Sequence, residues 1–406
     1  MTLLSKESSK MLRNSTRPGS ISLLLLLTLL LSACGESQTL VYDPVMPASH
    51  STAPTILNGG AAWIHNCQAG WKAYQAHPTY RDEHGQEKPR DIYLYGHFWI
   101  QTSDGSLWDY IQHGRPDKEK CVENVLQVAH QNHSKVYGVL GIDLSPGAWT
   151  KDDVIGYTQR AAQDAQVLQP IIRRVNQYHY DGLVNDIEAG DDSNPAAFAA
   201  YNTNLRRLLH NENPQLLLGT TLIAKTKDLS TTWQNWQGLA AGAVDFFVMM
   251  ALDHDTIYSQ PSSIVDTTWL QQIYNYLKKI PQLAGSPIEW ELPTYCRIWQ
   301  LNNGWSNQTC EYPEAVKLVH DLQHGTGGRI IDDHSQALDN PYVHYTDNNG
   351  VESYLYYETL PSLINQTKVL QSLQANQCIY LSFWDDDTGE PQALWPSIHQ
   401  NTIKLC

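Results

Sequence analysis

Asp186 and Glu188 close a nine-residue run, Tyr180-Asp-Gly-Leu-Val-Asn-Asp-Ile-Glu188. In an extended chain successive side chains point to opposite faces. Gly182, Val184, Asp186 and Glu188 then share one face, and Leu183, Asn185 and Ile187 the other. Two carboxylates leaving one end of a strand on the same side repel each other, so at least one is expected to hold a proton near neutral pH. A carboxyl group in that state can act as a general acid. Asp-x-Glu alone also describes a solvated acidic loop, and the rest of the chain has to decide between the two.

Short β-rich apolar runs recur through the chain, at 61–65, 91–101, 135–143, 180–188, 215–224, 244–253, 287–296 and 377–386. Helical spacing lies between them at 153–178, 195–211, 268–280 and 361–375, with an acidic first turn in the first of these and Pro in the first turn of two others. Eight strands alternating with helices predict a closed (β/α)8 TIM barrel. The gap 297–376 is too long for one helix, and its Tyr-rich runs around Asp347-Asn-Asn-Gly350 predict a β-hairpin. A small α+β insertion between strands seven and eight is therefore expected, forming one wall of a cleft.

In such a barrel, catalytic side chains gather at the C-terminal ends of the strands. Those ends carry Gly96-His97-Phe98-Trp99, Asp143 with nearby Trp149, Asp186 and Glu188, Met250-Ala-Leu-Asp253 with His254, Pro293-Thr-Tyr295 with Arg297, and Phe383-Trp-Asp-Asp386. A core avoids polar groups collected from separate strands, whereas a site requires them.

With these motifs in order, the chain resembles glycoside hydrolase family 18, the chitinase-like barrels, and most of all the branch of spore-cortex and peptidoglycan N-acetylglucosaminidases. The family's Asp-Gly-x-Asp-x-Asp-x-Glu is similar to Asp181-Gly-Leu-Val-Asn-Asp-Ile-Glu188. Its Met-x-Tyr-Asp is similar to Met250-Ala-Leu-Asp253, and its Leu-Pro-x-Tyr-Gly-x-x-Trp to Leu292-Pro-Thr-Tyr-Cys-Arg-Ile-Trp299. The final Trp matches Trp384, and the run from Tyr345 to Glu358 resembles the cortex-lytic branch. The resemblance implies Glu188 as general acid and then base, with Asp186 orienting the substrate's own 2-acetamido group as nucleophile and the configuration retained. It further implies Asp181, His97, Trp99, Asp253, Tyr295 and Trp384 around the sugar. The partner would be a polysaccharide containing N-acetylglucosamine, of chitin or peptidoglycan type, and no cofactor or metal is expected.

Two departures stand out. Val184 occupies the place of a carboxylate, or of an Asn in the cortex-lytic branch, so the protonation balance of Asp186 is expected to be set by Asn185, His97 or His254 instead. Leu252 replaces a Tyr whose hydroxyl would hold the acetamido oxygen, a loss of about 1.5–3 kcal/mol, or roughly ten- to a hundred-fold in rate. These losses leave a catalytically silent glycan- or protein-binding lectin as the alternative. A retaining glycosidase with two side-chain carboxylates is a third reading, with Asp253 as the second acid roughly 5 Å from Glu188.

The N-terminus reads as a leader. Lys6, Lys10, Arg13 and Arg17 precede an apolar stretch, and Leu31-Ser-Ala-Cys34 has the pattern of a bacterial lipobox. Residues 1–33 are expected to be a signal peptide, Cys34 the lipidated anchor of an extracytoplasmic lipoprotein, 34–57 a flexible tether, and 58–406 the barrel. A plain signal peptide or an uncleaved anchor would share the same pattern. Removing 1–33 takes four of the 27 basic and one of the 42 acidic residues, leaving a formal charge of −18. Such a surface repels nucleic acid, so none is expected as a partner. The other six cysteines suggest disulfides between chain neighbours, Cys67–Cys121, Cys296–Cys310 and Cys378–Cys406. The 13 Trp and 22 Tyr against five Phe suit sugar stacking as well as core packing.

Overall fold

The computed structural model describes residues 57–406 apart from 66, 68, 102–104, 143–149, 189–194, 228–234, 242–243, 255–259, 303, 385–390 and 392. The leader, Cys34, the tether up to residue 56, Asp143, Trp149, Asp385 and Asp386 lie outside the described residues.

The chain runs β1 (Ala61–Ile64), α1 (Ala69–Ala76), β2 (Asp91–Ile100), α2 (Pro116–Gln131), β3 (Val136–Ile142), α3 (Lys151–Gln163), α4 (Gln169–Tyr178) and β4 (Gly182–Asn185). It continues through α5 (Pro195–Glu212), β5 (Leu217–Ile223), α6 (Trp236–Ala241), β6 (Phe246–Met250), α7 (Thr267–Leu277), α8 (Pro281–Ala284) and β7 (Ile288–Pro293). Next come β8 (Cys296–Leu301), β9 (Trp305–Cys310), α9 (Tyr312–Gln323), β10 (Arg329–Asp333), β11 (Tyr342–Thr346) and β12 (Glu352–Tyr357). The chain ends with α10 (Leu360–Leu373), β13 (Tyr380–Trp384) and α11 (Leu394–Gln400).

Strands β1 to β7 and β13 form one parallel sheet in chain order. A Gly60–Leu381 bridge, with Leu381 N–H donating to the Gly59 carbonyl at 3.0 Å, joins its first and last strands. This is the expected (β/α)8 barrel. Outward residues such as Leu183, Leu218, Phe247 and Leu292 pack under the helices. The interior is filled by Trp63, Tyr93, Tyr95, Tyr137, Val139, Val184, Phe246 and Val248.

The expected helix over 153–178 is two helices. Asp164 adopts an extended conformation and its carboxylate caps the N–H of Gln166, while Pro170 supplies no N–H in the first turn of α4. Helix α2 goes beyond the sequence expectation, although Pro116, Asp117 and Glu119 in its first turn are a helix-start pattern.

The insertion is a five-stranded antiparallel sheet ordered β9-β8-β12-β11-β10, with α9 on one face. It contains the expected hairpin as β11 and β12 and ends at Tyr357, short of residue 376. Helix α10 belongs to the barrel, where Leu363, Ile364 and Leu370 join the outer core. The three disulfides pair as expected, and Cys296–Cys310 staples β8 to β9 directly across the ladder.

Candidate active site

The alternation expected of the fourth strand holds. Val184 faces the barrel interior, while Leu183 and Ile187 pack in the outer core. Asn185 is buried on the outer side, donating to Asn202 of α5 at 3.1 Å. The regular pairing ends at Asn185, and Asp186 extends it by one bond, its N–H donating to the Leu140 carbonyl at 2.8 Å. Asp186 and Glu188 therefore rise together from the C-terminal end of β4.

Asp186 is held from a neighbouring strand. Tyr95 Oη, on β2, donates to Asp186 Oδ2 at 2.8 Å. Oδ1 is buried and accepts no hydrogen bond within normal distance from a described residue, although the Thr221 hydroxyl is near enough to favour the charged form. Burial raises the Asp186 pKa, and the two hydroxyls oppose that rise. Tyr95 is itself raised well above 10 by burial and by Asp186, so it remains a neutral donor.

Glu188 is pushed up to about 8, first by its surroundings and then by the charges of Asp186 and Asp253. Its side chain presents area to solvent while lying deep among protein atoms, the situation of a group on the floor of an open cleft. Bulk water reaches it and screens the neighbouring charges.

Around this pair the rim is aromatic. Trp384 lies 5.7 Å edge-on from Tyr95 and 5.6 Å from Trp63, and Trp99 stacks on Tyr95 at 5.9 Å. At the end of β6 Asp253 adopts a left-handed conformation, φ 62°, and turns its carboxylate toward β7. There Tyr295 Oη donates to Oδ1 at 2.5 Å, and Arg297 pairs with the same oxygen while donating to Asn307 at 2.7 Å. Beside them is a cavity of about 410 Å³ lined by Leu252, Asp253, Tyr295 and Trp384 from the rim and by Arg297, Thr309, Glu311 and Glu314 from the insertion. That volume falls in the range of small-molecule sites. Asp186 and Glu188 are not in its lining; Asp253, which is, raises Glu188, and Trp384 meets Tyr95, the donor to Asp186.

Two expected sugar contacts belong elsewhere. His97 is buried outside the barrel, with Nε2 3.2 Å from Glu119 of α2 and Nδ1 3.0 Å from Tyr180 Oη. The cause is a bulge. Leu94 pairs with Gly138 and Phe98 with Leu140, so β2 spends four steps where β3 spends two, and Gly96 takes φ 121° to make room. Tyr95 and Trp99 stay inside while His97 turns out. Asp181 lies at the opposite end of the barrel, before β4, where it accepts from Val136 N–H at 2.8 Å and meets His130 of α2 at 2.9 Å.

None of the three groups expected to tune Asp186 reaches it. Asn185 and His97 face the helices, and His254 stacks on Trp269 and pairs with Asp266 at 3.1 Å. Tyr95 and Thr221 take that place. Thr221 lies on β5 and Tyr95 on β2, one residue before the bulge. His320 and His324 form a His-x-x-x-His pair on α9 and stack at 4.1 Å. Among the described residues, no group of three metal-ligating side chains exists.

No protein-family model matches the chain. It is similar in structure to a chitinase from Chromobacterium violaceum, at 15% identity and a TM-score of 0.65, over 85% of this chain and 98% of that one. It is also similar to the Bacillus cereus spore cortex-lytic enzyme SleL, at 19% identity and a TM-score of 0.62, over 85% of this chain and 74% of that one. A curated relative, the uncharacterized glycosylase YvbX of Bacillus subtilis, is 19% identical over 150 residues. That match spans 37% of this chain and 43% of the relative. The chain therefore has the fold of the chitinase-like barrels.

Proposed function

We propose that this protein is a glycoside hydrolase cleaving β-1,4 bonds next to N-acetylglucosamine by retaining, substrate-assisted catalysis. The observation that carries the reading is the pair on β4. Glu188, with a pKa of about 8, keeps its proton at neutral pH, and Asp186 beside it is held by the Tyr95 hydroxyl. Glu188 protonates the glycosidic oxygen as its bond to C1 breaks, and the acetamido carbonyl oxygen closes on C1 to form an oxazolinium ion. The Asp186 carboxylate accepts the acetamido N–H and offsets the positive charge. The Glu188 carboxylate then takes a proton from water as that water attacks C1 from the face that the leaving group vacated, so configuration is retained.

Trp384 offers an apolar floor, and the Asp253–Tyr295 pair presents polar atoms to the sugar. Leu252 supplies only methyl groups, so turnover is slower than a hydroxyl there would give. The lipobox at Cys34 extends the reading to an enzyme tethered outside the cytoplasm, within reach of cell-wall or environmental glycans.

The test is release of reducing ends from N-acetylglucosamine oligomers and from peptidoglycan by the full-length protein and by Glu188→Gln. The wild type is expected to turn over and the variant to lose ~10²–10⁴-fold with an unchanged melting temperature. Equal rates in the two proteins, or oligosaccharide binding without any turnover, would overturn the reading.

A further inference from the structure

We propose that Tyr95 is the positioning residue for Asp186, holding one of its oxygens and keeping the carboxylate a hydrogen-bond acceptor. The proposal rests on the assignment of Asp186 to the reacting sugar. The residue below Asp186 on the inward face of β4 is Val184, which is fully buried in the apolar interior and gives no hydrogen bond. A buried carboxyl group with no donor turns neutral and becomes a donor itself. It then offers the wrong group to an acetamido N–H.

The groups acting on this carboxyl come from three strands: Tyr95 on β2, Glu188 beyond β4 and Thr221 on β5. Further out, Asp253 after β6 acts on Glu188, and Glu291 on β7 acts on Tyr95. Burial and the like charge of Glu188 disfavour a negative charge on Asp186. The two hydroxyls favour it, and Tyr95 makes the bond of normal length, 2.8 Å. Its ring is flanked by Trp63, Trp99 and Trp384 at 5.7 to 5.9 Å, and Trp63 packs on Trp384 at 5.6 Å. The hydroxyl is thus a fixed donor aimed at one oxygen, and the bulge at Gly96 lets Tyr95 point inward while the chain beyond it turns His97 out.

Tyr95→Phe tests this in the full-length protein labelled with ¹³C at aspartate carboxyls, with Asp186→Asn to assign the resonance. The Asp186 midpoint is expected to rise by about one to two units, and the acid limb of the pH–rate profile with N-acetylglucosamine oligomers to move with it. In the same variant kcat should fall roughly ten- to a hundred-fold with KM little changed. Tyr93→Phe, one inward position below on the same strand, removes a hydroxyl from Glu289 instead. It should lower the melting temperature and leave the Asp186 midpoint in place. An unshifted midpoint in Tyr95→Phe would overturn the proposal, whether or not the wild type hydrolyses glycans. Absence of wild-type turnover would overturn only the glycosidase reading. If Tyr95→Phe does not fold, a slowly exchanging Tyr95 hydroxyl proton in the wild type, lost in Asp186→Ala, carries the same decision, and its absence in the wild type counts against the proposal.

Discussion

Glu188 and Glu289 are two carboxylic acids of one barrel, with pKa values raised to about 8 and about 7. Their surroundings differ in kind. Glu289 is sealed in the barrel interior, raised by burial and pulled back by the hydroxyls of Ser382 and Tyr93, the latter at 2.5 Å. Glu188 stands at the open rim, raised by its surroundings and by two like charges, and no hydroxyl opposes the rise. The interior acid is a hydrogen-bonding post for the barrel wall. The rim acid holds a proton that a substrate can reach. A perturbed pKa therefore marks a candidate, and access together with an uncompensated neighbour separates chemistry from architecture.

The largest effect expected beyond loss of the rim acid is a gain. Leu252→Tyr faces the 410 Å³ cavity and returns a hydroxyl to the rim. Turnover of N-acetylglucosamine oligomers should rise about ten- to a hundred-fold in steady-state assays. An unchanged rate would show that the rim is not limited by that missing donor.

Glu289→Ala probes the other half of the comparison. It leaves Tyr93 Oη buried without its acceptor and should cost about 1–3 kcal/mol by denaturant titration, while folded protein retains its activity. Catalytic loss without destabilisation would blur the distinction between the two acids.

The smallest effect is a slope of stability with pH. Glu289, Glu358, Asp91 and Glu188 all have folded-state pKa values above their unfolded ones, at about 7, 7, 6 and 8. The folded state then binds more protons than the unfolded state between about pH 5 and 8, so this stability is present at the acid end and fades as pH rises. The melting temperature should drift downward across that window. The drift should be shallower in Glu289→Gln, and an equal slope in both proteins would contradict the assignment.

Most of the barrel was legible because parallel strands buried on both faces read as apolar runs with helical spacing between them. The pairing of Asp186 with Glu188 followed from a period of two, which needs only the strand itself. A bulge at Gly96, where a Cβ would meet Tyr110 Oη at 2.6 Å, breaks the alternation of β2 just after Tyr95. His97 was misplaced by the same slip. Asp181 shares a motif with Asp186 but sits at the far end of the strand, a distance that spacing does reveal once strand direction is given weight. The β8–β9 hairpin was not legible because the residues joining its strands belong to a polar run, and only the Cys296–Cys310 link hinted at its register.

The most direct measurement of the central claim is the pH dependence of kcat/KM on an N-acetylglucosamine oligosaccharide. A free-enzyme Glu188 that keeps its proton as described gives a rate sustained to about pH 7 and falling through about 8. A basic limb below about pH 6, in the range of an ordinary carboxylic acid, would contradict it.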